Sequence, residues 1–137
     1  MADVAKFTET LNAGYTFKGD SIVLGRAMLN GDAVPVVMVK APLKTFNRHG
    51  LIAGATGTGK TKTLQLIAEQ LSGKGVSVLV MDIKGDLSGV AMPGTGNPKI
   101  DERHQKLGIA WNAHSNPVEF LSLSDEKGAR LRATVSE

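Results

Sequence analysis

The chain has 137 residues, of which 42% are hydrophobic, so it is long enough for one domain with its own core. Its formal net charge of +3 permits a nucleic-acid partner but does not argue for one. It has no cysteine, which excludes disulfides and thiolate metal sites. No apolar run approaches the roughly 18 residues of a membrane helix, and the N-terminus lacks the apolar core of a signal peptide. We therefore expect a cytoplasmic protein without a membrane partner.

The first predicted elements are two strands that follow a weakly patterned N-terminus. Residues 1–20 are predicted to be partly disordered or an edge element. Ser21–Leu29 and residues 34–39 are β-rich, and the Asn30-Gly31 pair between them is the strongest short-range hairpin signal. Pro35 indicates an edge strand, because proline has no N–H to donate to a central ladder.

The next feature is a phosphate loop. Residues 54–61 read Gly-Ala-Thr-Gly-Thr-Gly-Lys-Thr, a complete G-x-x-x-x-G-K-[ST] motif, also called Walker A. Its glycines let backbone N–H groups close around phosphate oxygens, and the helix N-terminus behind it adds further donors. Lys60 is predicted to reach the β- and γ-phosphates, and Thr61 to give its hydroxyl to Mg²⁺. The predicted cofactors are therefore ATP and Mg²⁺, and the predicted binding residues are Gly54, Ala55, Thr56, Gly57, Thr58, Gly59, Lys60, Thr61 and Lys62.

The segments on either side give this loop the context that the motif requires, between a strand and a helix. Residues 50–53 are a short apolar run suited to a buried parallel strand. From Leu64 to Leu71, apolar residues recur at i, i+3, i+4 and i+7, which predicts one apolar helix face. Gly73 and Gly75 offer positions for the helix to end. Residues 76–81 are β-rich and predict a second core strand.

The glycines of the loop also allow a rival interpretation. A dinucleotide-binding loop needs the spacing G-x-G-x-x-G. Gly54, Gly57 and Gly59 instead follow G-x-x-G-x-G. A nicotinamide site would also leave the Lys60-Thr61 pair unexplained.

Asp82 ends the second predicted core strand and has two interpretations. Four apolar residues precede it, as in a Walker B strand whose acid holds the Mg²⁺ shell. This makes Asp82 a candidate catalytic residue beside Lys60. An aspartate that caps a loop with Gly85 satisfies the same loose pattern. Lys84 and Asp86 share that loop and can simply be solvated.

Beyond this loop the patterns are shorter. Residues 92–99 are predicted to be a loop, because they hold two prolines and two glycines. Residues 101–107 suit a short helix. Residues 118–123 and 129–134 suit strands around a turn at Lys127-Gly128. The single tryptophan, Trp111, does not by itself make a stacking platform for nucleic acid.

Residues 47–65 resemble the HerA/FtsK superfamily of P-loop ATPases, and more narrowly the bacterial HerA-like ATPases of the helicase HerA-like C-terminal type. Residues 82–89 are similar to the acid-x-Lys-Gly motif of that family. The resemblance implies a RecA-like core, ATP hydrolysis coupled to moving DNA, and a homo-oligomeric ring of six subunits. Lys60 and Thr61 carry over as phosphate and Mg²⁺ ligands. Asp82 carries over only as a member of its motif, because the family's Walker B acid comes later in the chain.

The chain departs from the family in that residues 83–137 contain no run of four apolar residues followed by Asp-Glu. We therefore expect an α/β fold, in which a β-rich N-terminal segment at 1–45 precedes a partial RecA-like P-loop NTPase core with a parallel sheet at 46–137. The expected function is the ATP-binding portion of a DNA translocase or helicase motor, an N-terminal piece that is inactive as an ATPase alone. The alternatives are a non-motor nucleotide-binding switch module and an NAD(P)-binding Rossmann domain.

Overall fold

The structure is a computed structural model of the chain, and it describes residues 2–123 and 128–132. These residues form an α/β arrangement with two small sheets of two strands each. None of the helices in this part of the chain has the length and apolar content needed to cross a bilayer. The elements in chain order are α1 (Ala2–Gly14), β1 (Ser21–Leu29), β2 (Asp32–Pro42), a 3-10 turn (Leu43–Thr45), α2 (Lys60–Gly73), a second 3-10 turn (Ser88–Ala91), α3 (Pro98–Leu107), β3 (Leu121–Ser122) and β4 (Ala129–Arg130).

Helix α1 corrects the expectation of disorder or an edge element at the N-terminus. Its Phe7 and Leu11, one turn apart, are half-buried, and the helix packs on β2. From Asp3 to Gly14, no side chain of the helix is fully buried. Because a sequence reveals a helix mainly through its buried stripe, so shallow a contact leaves little periodicity to detect.

Strands β1 and β2 form the predicted antiparallel hairpin. The chain reverses at Asn30 and Gly31, whose φ angles are 53° and 92°. Two consecutive residues with positive φ define the type I′ turn, which favours Asn-Gly over other pairs. The hairpin prediction is confirmed, although β2 is longer than predicted at both ends.

The hairpin ladder carries a large irregularity next to Pro35. Arg26 pairs with Met38, but the next residue, Ala27, pairs with Val34. Pro35 lies in the stretch between these partners, where its missing N–H removes no ladder hydrogen bond.

The core of the described residues lies where the hairpin meets α2. Gln70 of α2 joins the two elements: its Oε1 accepts from the Val23 amide at 2.7 Å, and its Nε2 donates to the Val23 carbonyl at 2.6 Å. Both backbone groups are part-buried, so this pair of bonds avoids two desolvation penalties. The buried apolar residues belong to the same two elements: Ile22, Ala27, Val37 and Leu71.

Helix α2 follows the phosphate loop as predicted and ends in a Schellman motif. The Gly75 amide donates to the Ser72 carbonyl at 2.9 Å, and the Val76 amide donates to the Leu71 carbonyl at 3.0 Å. Gly75 has a φ of 77°, the left-handed conformation that this motif requires at its turning residue. The predicted end of the helix near Gly73 and Gly75 is confirmed.

The two predicted core strands are not formed, which corrects the expectation for residues 50–53 and 76–81. Leu51, Leu79 and Met81 are 90%, 80% and 88% exposed. An apolar run becomes a parallel strand only when neighbouring strands satisfy its backbone and layers cover both faces. In the described part of the chain neither run pairs with another strand.

The pair of parallel strands that does form is β3 and β4. Each has two residues, fewer than predicted, and the ladder is parallel, whereas strands around a tight turn would be antiparallel. The amides of Ala129 and Leu131 donate to the carbonyls of Phe120 and Ser122, both at 2.8 Å. Lys127 of the predicted turn and the end of the second predicted strand lie outside the described residues.

Helix α3 contains the predicted helix at residues 101–107 and begins earlier, at Pro98. The Asn97 side chain caps it by accepting from the amides of Lys99 at 3.0 Å and Ile100 at 3.1 Å. Proline suits the first helical position, where no N–H is needed. The N-terminal end of α3 therefore lies inside the segment that was expected to be a loop.

The other end of α3 is fastened to the hairpin by Arg26 of β1. Its guanidinium donates to the carbonyl of Leu107 at 3.0 Å and to that of Gly108 at 3.3 Å. A cation at a helix C-terminus satisfies free carbonyls and the negative end of the dipole. This contact positions the following segment, which carries Trp111.

Candidate functional site

The phosphate loop, residues 54–61, has the curvature that its glycines predict. Gly57 and Gly59 have φ angles of 81° and 93°, in the left-handed region that other residues rarely adopt. A Cβ atom built on Gly54 would lie 2.6 Å from Oγ1 of Thr58, so any side chain there would displace the threonine. The loop therefore closes tightly on itself at its first position and turns sharply at two others.

Two polar side chains of the loop converge on one carbonyl oxygen. The Ala55 carbonyl accepts from Nζ of Lys60 at 2.8 Å and from Oγ1 of Thr58 at 2.7 Å. The ammonium group of Lys60 is thus bonded to the loop backbone at an exposed position. A fixed positive charge at this place is what an anionic ligand of the loop requires.

Helix α2 begins at Lys60, inside the loop, and its N-cap residue is Gly59. Glycine has no side chain to occupy the free amides of the first turn, and the first intrahelical bond runs from the Thr63 amide to the Gly59 carbonyl at 2.9 Å. Free N–H groups and the positive end of a 14-residue helix are features that suit an anion at this position.

Asp86 is a residue of the site that sequence reasoning missed. The Thr61 hydroxyl donates to its Oδ2 at 3.4 Å, and Nε2 of Gln65 donates to its backbone carbonyl at 3.0 Å. Two side chains one turn apart on α2 therefore hold Asp86 beside the residue expected to bind Mg²⁺. The available signal is the second acid of the Asp-x-Lys-Gly-Asp sequence, and its side chain is exposed as well as bonded to Thr61.

Asp82 caps the loop that carries Asp86. Its Oδ1 accepts from the amides of Lys84 at 3.1 Å and Gly85 at 2.8 Å, and its Oδ2 accepts from the Leu87 amide at 2.8 Å. The pKa of Asp82 lies below its ordinary value of 3.8, mainly because the Leu87 amide donates to the carboxylate. Desolvation raises this pKa, and the Gly85 and Lys84 amides lower it further. This geometry favours the loop-capping interpretation, and the catalytic role of Asp82 stays a prediction.

Thr61 and Asp86 are two oxygen-bearing side chains that the structure brings together beside the loop. Within residues 2–123 and 128–132, no group of three or more histidine, aspartate or glutamate side chains is placed to hold a metal ion. Mg²⁺ in nucleotide sites is commonly held by one or two protein oxygens together with the phosphates and water. One hydroxyl, Thr61, with one carboxylate behind it matches that pattern.

Comparisons with known proteins agree with the family resemblance of the sequence. The family model described as "Helicase HerA-like C-terminal" matches residues 29–137. The DNA double-strand break repair helicase HerA of Saccharolobus solfataricus is 40% identical over 50 residues, which are 36% of this chain and 10% of that relative. The chain thus spans about a tenth of the length of this curated relative. No solved structure matches the chain significantly. Because the family match covers most of the sequence, the chain belongs to the helicase HerA-like C-terminal family.

Proposed function

We propose that this chain is the nucleotide-binding portion of a HerA-like ATPase, with ATP and Mg²⁺ bound at residues 54–62. The observation that carries this proposal is the shape of the phosphate loop. Gly57 and Gly59 adopt conformations that other residues rarely adopt, the Lys60 ammonium bonds to the loop backbone, and α2 begins at Lys60 with glycine as its N-cap. Each of these features suits a polyphosphate.

In this proposal Lys60 contacts the β- and γ-phosphates and Thr61 contacts Mg²⁺. A hydroxyl that donates its proton to a carboxylate keeps its lone pairs available for a metal ion. Asp86 is therefore assigned to orient the Thr61 hydroxyl, at the 3.4 Å separation described above. Asp82, with three backbone amides of its loop on its carboxylate, is assigned to position Asp86. Mg²⁺ would supply charge neutralisation on the phosphates.

The proposed role of the whole protein is a motor that couples ATP hydrolysis to movement along DNA, in a homo-oligomeric ring with a RecA-like core. The family match and the DNA-repair helicase relative support this assignment. Hydrolysis needs a positioned acid and often an arginine in addition to the phosphate cradle. We therefore propose that residues 1–137 alone bind ATP and turn it over negligibly. Steady turnover on the order of 1 s⁻¹, a typical enzyme rate, would contradict this.

Calorimetry with Mg²⁺-ATP tests the nucleotide site. Lys60→Ala removes a charge-assisted contact worth roughly 1.5–3 kcal/mol, so affinity should fall about ten- to a hundredfold. Lys74→Ala is the matched control, because Lys74 forms a surface ion pair with Asp20 beyond the other end of α2. Equal ATP affinity in the wild type and Lys60→Ala would refute the site. Tighter binding of NADH than of ATP would support the Rossmann alternative.

Fluorescence anisotropy with a labelled duplex separates the motor from a nucleotide-binding switch. In the assembled full-length protein, affinity for DNA should fall steeply as salt rises, because neutralised phosphates release counterions. The chain of 137 residues, with a net charge of only +3, should bind weakly. Absence of DNA binding by the assembled protein would favour the switch module. Salt-insensitive, sequence-specific binding by residues 1–137 would contradict the motor.

A further inference from the structure

A cleft of about 400 Å³ opens beside α2, directly beyond the phosphate loop. The helix borders it with the face that carries Lys62, Gln65 and Glu69, and the segment after α3 borders it with Trp111 and Asn116. Its size lies in the range of small-molecule sites in proteins, which is roughly 300–1,000 Å³.

Trp111 is held in place by the backbone of the loop before α3. A Cβ atom on Gly96 would lie 2.9 Å from Cζ3 of the indole, and one on Gly94 would lie 3.7 Å from Cζ2. Only glycine at position 96 allows the chain so close to the ring. Trp111 is half-buried and also lines the cleft. The backbone near Gly96 therefore supports the ring, and part of the ring remains accessible from the cleft.

The rest of the cleft combines apolar groups, amides and polar or charged side chains. Asp86 and His114 line it, and Nε2 of His114 lies 3.1 Å from Oε1 of Glu69. Val90 and Met92 line it, together with Asn112 and Asn116. Nδ2 of Asn116 donates to the Val90 carbonyl at 3.1 Å, which fixes the amide in position. Amide side chains offer both donors and acceptors, so an aromatic ring beside amides, one of them held by a hydrogen bond, suits a flat heterocycle with polar edges.

Two lining residues connect the cleft to the phosphate loop, although no residue of the loop itself lines the cleft. Lys62 borders the cleft and follows Thr61 directly in the chain, and Asp86 both lines the cleft and accepts from the Thr61 hydroxyl. Backbone amides of such a loop cradle the α- and β-phosphates, so a nucleoside extends from the loop beyond the α-phosphate. We propose, as an extension that rests on the proposed function, that this cleft binds the base of the same nucleotide and that Trp111 stacks on it.

Fluorescence of the 137-residue chain provides the first test, because Trp111 is its single tryptophan. Saturating Mg²⁺-ATP should quench the emission, whereas magnesium tripolyphosphate, which has no base, should bind without quenching it. Quenching by a single-stranded oligonucleotide but not by ATP would overturn the proposal in favour of nucleic acid. Unchanged emission at saturating ATP would also overturn it.

Affinity measurements on Trp111 variants provide the second test. Stacking of one base on an aromatic ring corresponds to roughly a five- to hundredfold change in affinity. Trp111→Ala should weaken ATP binding by that factor and leave the affinity for tripolyphosphate unchanged, while Trp111→Phe should retain most of the ATP affinity. ATP affinity equal to wild type in Trp111→Ala would overturn the base site and leave the phosphate site intact. Failure of both ATP and tripolyphosphate to bind the wild type would refute the proposed function and the base site together.

Discussion

The role proposed for Asp86 can be isolated with Asp86→Asn. Asparagine has nearly the same shape as aspartate, and it keeps the backbone carbonyl that accepts from Gln65 at 3.0 Å. The loop should therefore stay beside α2. The substitution removes only the negative charge that faces the Thr61 hydroxyl at 3.4 Å.

The expected size of the effect follows from that contact. A hydrogen bond to a charged group is worth roughly 1.5–3 kcal/mol. The 3.4 Å separation is long, and both side chains are exposed. We therefore expect Asp86→Asn to reduce the binding free energy of Mg²⁺-ATP by about 1 kcal/mol. This corresponds to about a fivefold loss of affinity for Mg²⁺-ATP. Without Mg²⁺, the affinity for ATP should be unchanged or higher, because a carboxylate near the phosphates has been neutralised.

Calorimetry measures the ATP affinity of the same protein twice, once with Mg²⁺ and once with a chelator that removes it. Asp20→Asn is the matched control, because it neutralises an exposed acid whose partner is Lys74. It should leave the effect of Mg²⁺ on affinity unchanged. If Asp86→Asn and the wild type depend equally on Mg²⁺, or if Asp86→Asn weakens ATP equally with and without the ion, Asp86 has no part in the metal site.

Three further outcomes follow from the geometry. The NMR titration of the Asp82 carboxyl should have its midpoint below 3.8. Because the folded-state pKa is lowered, its stabilisation of the loop is complete above the unfolded pKa and is lost as the pH falls through the lower folded value. Gly54→Ala should weaken ATP binding about fivefold, since the new Cβ displaces Thr58 and costs about one hydrogen bond. Gln70→Ala should lower the free energy of unfolding by roughly 1–3 kcal/mol in urea, because both polar groups of Val23 lose their partner.

The two substitutions have controls within the chain. Gly50→Ala adds a Cβ with no atom within 4 Å and should leave ATP affinity unchanged. If it weakens binding as much as Gly54→Ala, close packing at Gly54 is not the cause. Gln105→Ala changes an exposed glutamine on α3 and should hardly alter stability. A titration midpoint at or above 3.8 would show that the amides around Asp82 do not hold its carboxylate.

Local signals account for the features that were predicted from the sequence. Asn30-Gly31 specifies its turn through the φ angles of two adjacent residues, and no distant contact is needed. The glycines of the phosphate loop act in the same way. Helix α2 is set by its apolar spacing and by Gly75, whose left-handed conformation ends it. The ATP site residues and the division at residue 45 stay predictions.

The predicted core strands that do not form, and the contact between Thr61 and Asp86 that was not predicted, both depend on partners distant in the chain. Residues 50–53 and 76–81 have the composition of strands, but pairing and covering layers decide whether a strand forms. Thr61 and Asp86 are 25 positions apart, and only the packing of a loop against α2 brings them together. The side chain of Asp82 shows the reverse case, because its bonds are all to nearby amides and the loop-capping alternative anticipated them.

Helix α2 also has a mechanical consequence. It starts inside the phosphate loop, and Gln70 near its other end forms hydrogen bonds with both backbone polar groups of Val23 in the hairpin. Its 14 residues form a rod about 21 Å long at about 1.5 Å per residue. The phosphate loop and the hairpin are therefore joined by one continuous helix. A tilt of α2 at the loop would also displace Gln70 from both polar groups of Val23 unless the hairpin moved with it.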